Sequence, residues 1–374
     1  VRGPARGSVG GRLISAAMSD LPPILHAIAW PGGLSGAARS MEESLAALAA
    51  AGHRVSAWLA NATRVAEPVM PERLAARGVA WTRRENNSAL DPGSVGALVR
   101  ELKALGRGAI LHTHGERALL WGRFASRAAG AKHVHTVHGF IENDDRDRRR
   151  AAVARRLLAS VDAVIAVHPS LAGGLSAHQI VPNCLDADAF TAAAPDGVDA
   201  RRHLALGATT RVYLYLGRLS FEKGADAIGV LQATLEKASA AAKLVVAGRG
   251  AFAPGVEAME DVLYLGQRTD PETLLAIADV LIMPSRQEGV PMVALEAAAM
   301  AVPVVGFDVG GLADGGLART VPVEHTEDLA KLALHLARKA DDRAPVLAAS
   351  RAALEGRFSP REHVSALESV YRGL

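Results

Sequence analysis

From residue 24 onward, short apolar runs alternate with longer alanine-rich stretches of helical period. ILHAIAW (24–30) is followed by SMEESLAALAAAG and then by HRVSAWLA. Further on come AILHTH (109–114), HVHTVH (133–138), AVIAVH (163–168) and QIVPN (179–183), with helical material such as GERALLWGRFASRAAG between them. Near-continuous apolar runs separated by helices predict parallel strands buried on both faces. The stretch PNCLDADAFTAAAPDGVDARR (182–202) breaks the pattern with Pro, Gly and Asp, and reads as a linker. A second series then begins with RVYLYLGR (211–218), KLVVAG (243–248), VLYLG (262–266), DVLIMPS (279–285) and PVVGFD (303–308). The expected fold class is α/β, with two successive doubly wound halves and a cleft between them. Ligands of such sheets sit beyond the carboxyl ends of the strands.

Composition narrows the class only modestly. A chain of 374 residues with 49% hydrophobic and 22% charged residues suits a globular enzyme of two domains and excludes wholesale disorder. The net charge of +3 gives no case for nucleic acid as a partner. A single cysteine, Cys184, excludes an intrachain disulfide and fits a reducing compartment. The glycosylation-type triplets at Asn61 and Asn86 therefore carry no weight, and no apolar run reaches the roughly 18 residues of a membrane span. Residues 1–19 are expected to form a flexible leader, with Met18 as the natural start. A cytoplasmic location is expected.

Candidate chemistry falls at the strand ends. Gly32, Gly33 and Gly36 in WPGGLSGAARS suit either an anion site at a helix start or an ordinary strand-to-helix turn. His112, His114, His133, His135 and His138 cluster, but their spacing is strand alternation and no carboxylate joins them, so no metal is expected. His133 and His135 read as strand or surface residues. His138, where the chain leaves the sheet, suits hydrogen bonding or proton handling. In YLGRLSFEKGAD, Arg218 and Lys223 follow a strand and suit either a diphosphate clamp or a solvated basic turn.

SRQEGVPMVALEAAAMAVPVVG (285–306) places Glu288 in a loop and Glu296 inside the helix that Pro291 opens. A carboxylate accepts two hydrogen bonds from vicinal hydroxyls, each charge-assisted. Two such glutamates beside a diphosphate clamp suit a ribose and a hexose joined by that diphosphate.

These motifs resemble the retaining glycosyltransferases of family four, which have the GT-B fold of two Rossmann-like domains. The resemblance runs from about residue 24 and rests on PGGLSG, AGHRV, HTHG, TVHG, VPN, GRLSFEKG, LGQRTD and PSRQEGVPMVALEA. It implies an N-terminal acceptor-side domain at 20–184 and a donor-binding domain at 185–356. The terminal FSPREHVSALESVYRGL would then cross back to the first domain from residue 357. It further implies that Arg218 and Lys223 bind the diphosphate, Glu296 the ribose, and Glu288 the transferred sugar. Gly32 and Gly33 would cover the phosphates, with Arg268, Gly289 and Val290 completing the donor site and His138 near the sugar's 6-hydroxyl. The co-substrate the resemblance implies is a nucleotide-diphosphate sugar, with no metal and no further cofactor expected. Cys184, Arg249, Val290 and GGLADGG (310–316) depart from the family's usual residues, which leaves donor choice open. The DAD at 186–188 lies in the expected linker and is set aside as a metal motif.

The acceptor implied is a saccharide, a lipid-linked saccharide or a small molecule. The basic stretch 146–156, with Arg148, Arg149, Arg155 and Arg156, suits peripheral contact with the inner face of a membrane, or simply a solvated helix face. Two other readings are a nucleotide-sugar 2-epimerase of the same fold and a catalytically silent relative that serves as a binding partner.

Overall fold

A computed structural model of the chain describes residues 6–7, 20–30, 35–61, 69–85, 91–139, 145–175 and 178–374. The chain divides into two compact units, Val1–Asn183 with Pro360–Leu374, and Cys184–Ser359. The expected leader lies outside the described residues apart from Arg6–Gly7.

The first unit is built on β1 (Arg6–Gly7), β2 (Ile24–Trp30), β3 (Val55–Asn61), β4 (Ala80–Glu85), β5 (Ile110–His114), β6 (Lys132–Val137), β7 (Ala163–Ala166) and β8 (His178–Ile180). They lie in the order β1-β4-β3-β2-β5-β6-β7-β8, all pairs parallel except β1 on β4. The second unit holds β9 (Arg211–Leu216), β10 (Ala242–Ala247), β11 (Val262–Tyr264), β12 (Val280–Met283), β13 (Val304–Phe307) and β14 (Arg319–Val321). Their order is β11-β10-β9-β12-β13-β14, wholly parallel. Each sheet therefore reverses its winding once, between β2 and β5 in the first and between β9 and β12 in the second. Loops that leave neighbouring strands in opposite directions part at such a point and leave room for a ligand.

The strands form where apolar residues run without a break: β5 is buried throughout, as are β12 and β13. A run buried on both faces is what a parallel sheet covered by helices demands. AVIAVH ends as a strand at Ala166, because His168 instead caps a short 3-10 turn, its Nδ1 3.2 Å from the Ser170 amide. β4 was not expected, since AWTRRE is charged and only partly buried, as suits a strand near a sheet edge.

The expected linker 182–202 is corrected. It contains two short helices of the second unit, Ala187–Ala192 and Gly197–His203, each begun by an aspartate. Asp186 accepts from the Ala189 amide at 3.0 Å and Asp196 from the Val198 amide at 2.7 Å. Asp and Gly there are helix-start residues rather than signs of open chain.

The helix Pro360–Arg372 belongs to the first unit. Its Leu367, Val370 and Tyr371 join Leu21, Ile24, Leu48, Ile110 and Val134 in one core. His363 bridges Ser44 Oγ and the Pro182 carbonyl, each at 2.7 Å, and His53 meets Glu368 at 2.8 Å.

Candidate active site

In the second unit, β9 runs into GRLSFEKG and its neighbour β12 runs into PSRQEGV, so the winding reversal brings these two loops together. The central contact is an ion pair: Lys223 Nζ donates to Glu288 Oε1 at 2.7 Å. Glu288 is 8% exposed and Glu296, in the helix Met292–Ala299, only 3%. Carboxylates are rarely buried so far without a functional or structural partner.

The β9 loop is held by specific bonds. Tyr215, at the end of β9, shares its one hydroxyl proton between the Arg218 carbonyl at 2.8 Å and the Lys223 carbonyl at 3.1 Å. Burial, then the nearby carboxylates of Glu288 and Glu222, pushes that phenol well above its ordinary value, so it stays a donor. Gly224 sits at φ +69°, and a Cβ there would collide with the Pro284 carbonyl, so only glycine lets this loop press against the end of β12. Arg286 completes the tie. It holds Asp226 at 2.7 Å and Glu324 at 2.6 Å, and bonds to the Phe221 carbonyl at 2.7 Å. The buried Ser220 Oγ has no hydrogen-bond partner among the described residues.

Arg218 is exposed and bonds Glu222 at 3.0 Å, leaving a guanidinium at the loop surface. Arg268 is clamped by Asp270 through two bonds of 2.8 and 2.6 Å. Gly289 offers its carbonyl to the Gly311 amide at 2.7 Å, and the Val290 side chain is packed in the core. Gly32 and Gly33 lie outside the described residues. Asp186 of the DAD triplet is used in capping, as above.

His138 belongs to the first unit and follows β6, half-buried, with Nε2 2.9 Å from His114 Nδ1. His133 and His135 lie on the opposite face of β6. They are buried rather than surface residues, and both bond to Thr113 Oγ1, at 2.9 and 2.8 Å. His26, His112 and His114 each bring one ring nitrogen within 4.8 Å of the others, a donor set of the type zinc accepts. Hydrogen bonds engage these same rings: His26 Nδ1 lies 3.0 Å from His114 Nε2, and His112 bonds Tyr371 and Thr136. Burial above all, reinforced by neighbouring imidazoles, holds these rings neutral. His26 is lowered to about 3, His138 to about 4, and His112 and His114 well below the usual value.

Tyr215, Ser220, Arg286, His26 and Tyr371 did not stand out in the sequence. Tyr215 and His26 sit inside apolar strand runs, and Tyr371 is distant in the chain from the histidine it contacts. Arg286 was visible beside Glu288, but its three-way tie depends on loops distant in sequence.

Two family models match the chain: Glycosyltransferase Family 4 over residues 34–188 and Glycosyl transferases group 1 over residues 210–339. A galactosyltransferase of Escherichia coli, UDP-Gal:alpha-D-GlcNAc-diphosphoundecaprenol alpha-1,3-galactosyltransferase, is 26% identical over 229 residues, 54% of this chain and 58% of that protein. A GDP-mannose-dependent monoacylated alpha-(1-6)-phosphatidylinositol monomannoside mannosyltransferase of Corynebacterium glutamicum is 31% identical over 197 residues, 48% of this chain and 52% of its own length. The chain thus spans about half the length of these curated relatives. Among solved structures, Anabaena HepE in complex with UDP-glucose superposes with a TM-score of 0.77 at 18% identity, covering 94% of this chain and 100% of that one. The fold is that of the GT-B glycosyltransferases.

Proposed function

The chain belongs to the family-four glycosyltransferases, the glycosyl transferases of group 1, and from that premise we propose that it moves a hexose from a nucleotide-diphosphate sugar to a saccharide or lipid-linked acceptor with retention of anomeric configuration. The observation that carries the donor site is the Lys223–Glu288 pair of 2.7 Å, set where the second sheet reverses its winding. Breaking the sugar–phosphate bond builds negative charge on the departing diphosphate. Lys223 and the exposed guanidinium of Arg218 answer that charge in place of a metal ion. Such preorganised cations lower the barrier because they need not reorganise as the charge grows. On donor binding, Lys223 turns to the phosphates and frees the Glu288 oxygens to accept from hydroxyls of the transferred sugar. The buried Glu296 takes the ribose hydroxyls, the Ser220 hydroxyl is a further donor to the diphosphate, and Arg268 lines the nucleotide side. His138 meets the transferred sugar.

The names of the relatives support a nucleotide-sugar donor, since they specify UDP-Gal in one case and GDP-mannose in the other. Both names also specify lipid acceptors, which favours a lipid-linked acceptor here. The helix Asp145–Leu158 buries Ala151, Ala154 and Leu158 and exposes Arg149, Arg155 and Arg156, a face suited to anionic headgroups. No helix among the described residues is long and apolar enough to cross a membrane. The relatives quoted are transferases, and none is named as an epimerase.

The test is to incubate the protein with UDP- and GDP-hexoses and lipid-linked or free saccharide acceptors, and follow nucleotide diphosphate release and the product's anomeric proton by NMR. Acceptor-dependent release with an anomeric configuration matching the donor supports the reading. Inverted product, or a rearranged sugar formed without acceptor, overturns it.

A further inference from the structure

The first sheet also reverses its winding, between β2 and β5, and there the buried polar side chains form a single file. Thr136 Oγ1 lies 2.7 Å from His112 Nε2, and His112 Nδ1 lies 2.6 Å from the Tyr371 hydroxyl. The Tyr371 hydroxyl lies 3.4 Å from His26 Nε2, His26 Nδ1 lies 3.0 Å from His114 Nε2, and His114 Nδ1 lies 2.9 Å from His138 Nε2. β2, β5, β6 and the final helix each supply members. Every ring nitrogen in the file has a partner except His138 Nδ1, which has none among the described residues and sits at the half-buried end.

We propose that Thr136, His112, Tyr371, His26 and His114 form a hydrogen-bond relay that positions His138 with its Nδ1–H presented as a donor to an oxygen of the bound ligand. A neutral imidazole donates from one nitrogen and accepts at the other, and a hydroxyl donates one proton. The file is therefore satisfied only when every member points the same way. The closed end sets which way. Thr136 is 6% exposed and its hydroxyl has one partner, His112 Nε2. If it accepted from His112, its own proton would be buried without an acceptor, which proteins avoid. It therefore donates. His112 then donates from Nδ1 to Tyr371, Tyr371 to His26 Nε2, His26 from Nδ1 to His114, and His114 from Nδ1 to His138 Nε2. The remaining proton of His138 is on Nδ1, at the open end. All four histidines carry the Nδ1–H tautomer, the less common form of free histidine. Burial keeps them uncharged. His138 so arranged is a hydrogen-bond donor rather than a general base. Thr113, with His133 and His135, lies on the other face of the sheet and does not join the file.

The consequence for the donor sugar rests on the proposed function, but the relay is tested without it. The full chain, labelled with nitrogen-15 histidine, is examined near neutral pH by long-range proton–nitrogen correlation, with His138 identified by the signal lost in His138→Gln. The expected result is a protonated Nδ1 and an unprotonated Nε2 at His138, His114, His26 and His112. An Nε2–H tautomer or a doubly protonated ring at His138 overturns the relay, as does metal found bound to these rings in the purified protein. Thr136→Val removes the proton that fixes the direction. His138 is then expected to populate both tautomers, and Thr136→Ser to restore the single one; a His138 signal indifferent to Thr136→Val overturns the relay. Turnover separates the two levels. Thr136→Val is expected to slow hexose transfer roughly three- to tenfold, about the effect of one hydrogen bond, with KM for the nucleotide portion little changed. A shifted tautomer with unchanged turnover leaves the relay standing and removes His138 from the donor sugar.

Discussion

At the residue scale the proposed site has two buried carboxylates, Glu288 and Glu296, to which separate tasks are assigned as a proposal. Glu288 is paired with Lys223, the ammonium proposed to answer the charge of the departing diphosphate, so on that proposal its removal disturbs the reacting end of the donor. Glu288→Ala is expected to lower kcat by about a hundredfold, in the range of a lost transition-state contact, with little effect on nucleotide affinity. Glu296→Ala is expected to weaken nucleotide binding by roughly tenfold or more, as for a lost charge-assisted hydrogen bond, with a smaller effect on chemistry. Calorimetric titration beside steady-state kinetics checks both, and equal nucleotide affinity in the wild type and Glu296→Ala would contradict the ribose assignment. The loops bearing Lys223 and Glu288 were legible in the sequence, because glycine and proline mark strand ends. The pairing of the two residues was not, since it depends on β9 and β12 being neighbours across a crossover.

At the element scale, the β9 loop is tied by hydrogen bonds from Tyr215 and Arg286 and presses through Gly224 against Pro284. Tyr215→Phe leaves the Arg218 and Lys223 carbonyls without that donor. It is expected to cost about 1 kcal/mol of stability and to raise the donor KM, measured by denaturant unfolding and kinetics. Gly224→Ala meets the Pro284 carbonyl and is expected to damage donor binding more severely, with a loss of stability above about 1 kcal/mol. Strand positions were readable wherever burial is two-sided, as in β5 and β12. They failed at β4, where charge masks a partly buried strand, and in 182–202, where capping aspartates imitate a linker. Turn residues and helix-start residues are the same amino acids, and only the bonds they make distinguish them.

At the scale of the whole molecule, the two units differ in how they answer acid. His26, His133 and His363 are buried in the first unit, with values of about 3, 4 and 4 against 6.5 when unfolded. Between those values the unfolded chain binds protons that the folded one refuses. Stability is therefore full above about pH 6.5 and falls as pH drops toward 4, by up to about 1.4 kcal/mol per pH unit for each such histidine. The first unit is expected to unfold ahead of the second on acidification, seen as a thermal transition that splits below pH 6. A single transition with an unchanged midpoint down to pH 4.5 would contradict the buried neutral set. The measurement that bears most directly on the central claim is a thermal-shift titration of the wild type and Lys223→Ala with UDP, GDP and ADP and their hexose conjugates. One nucleotide at about 100 times its dissociation constant should raise wild-type stability by about 2.7 kcal/mol, and the same concentration should raise that of Lys223→Ala far less. Equal stabilisation of both proteins, or none by any nucleotide, would contradict a diphosphate site built on Lys223.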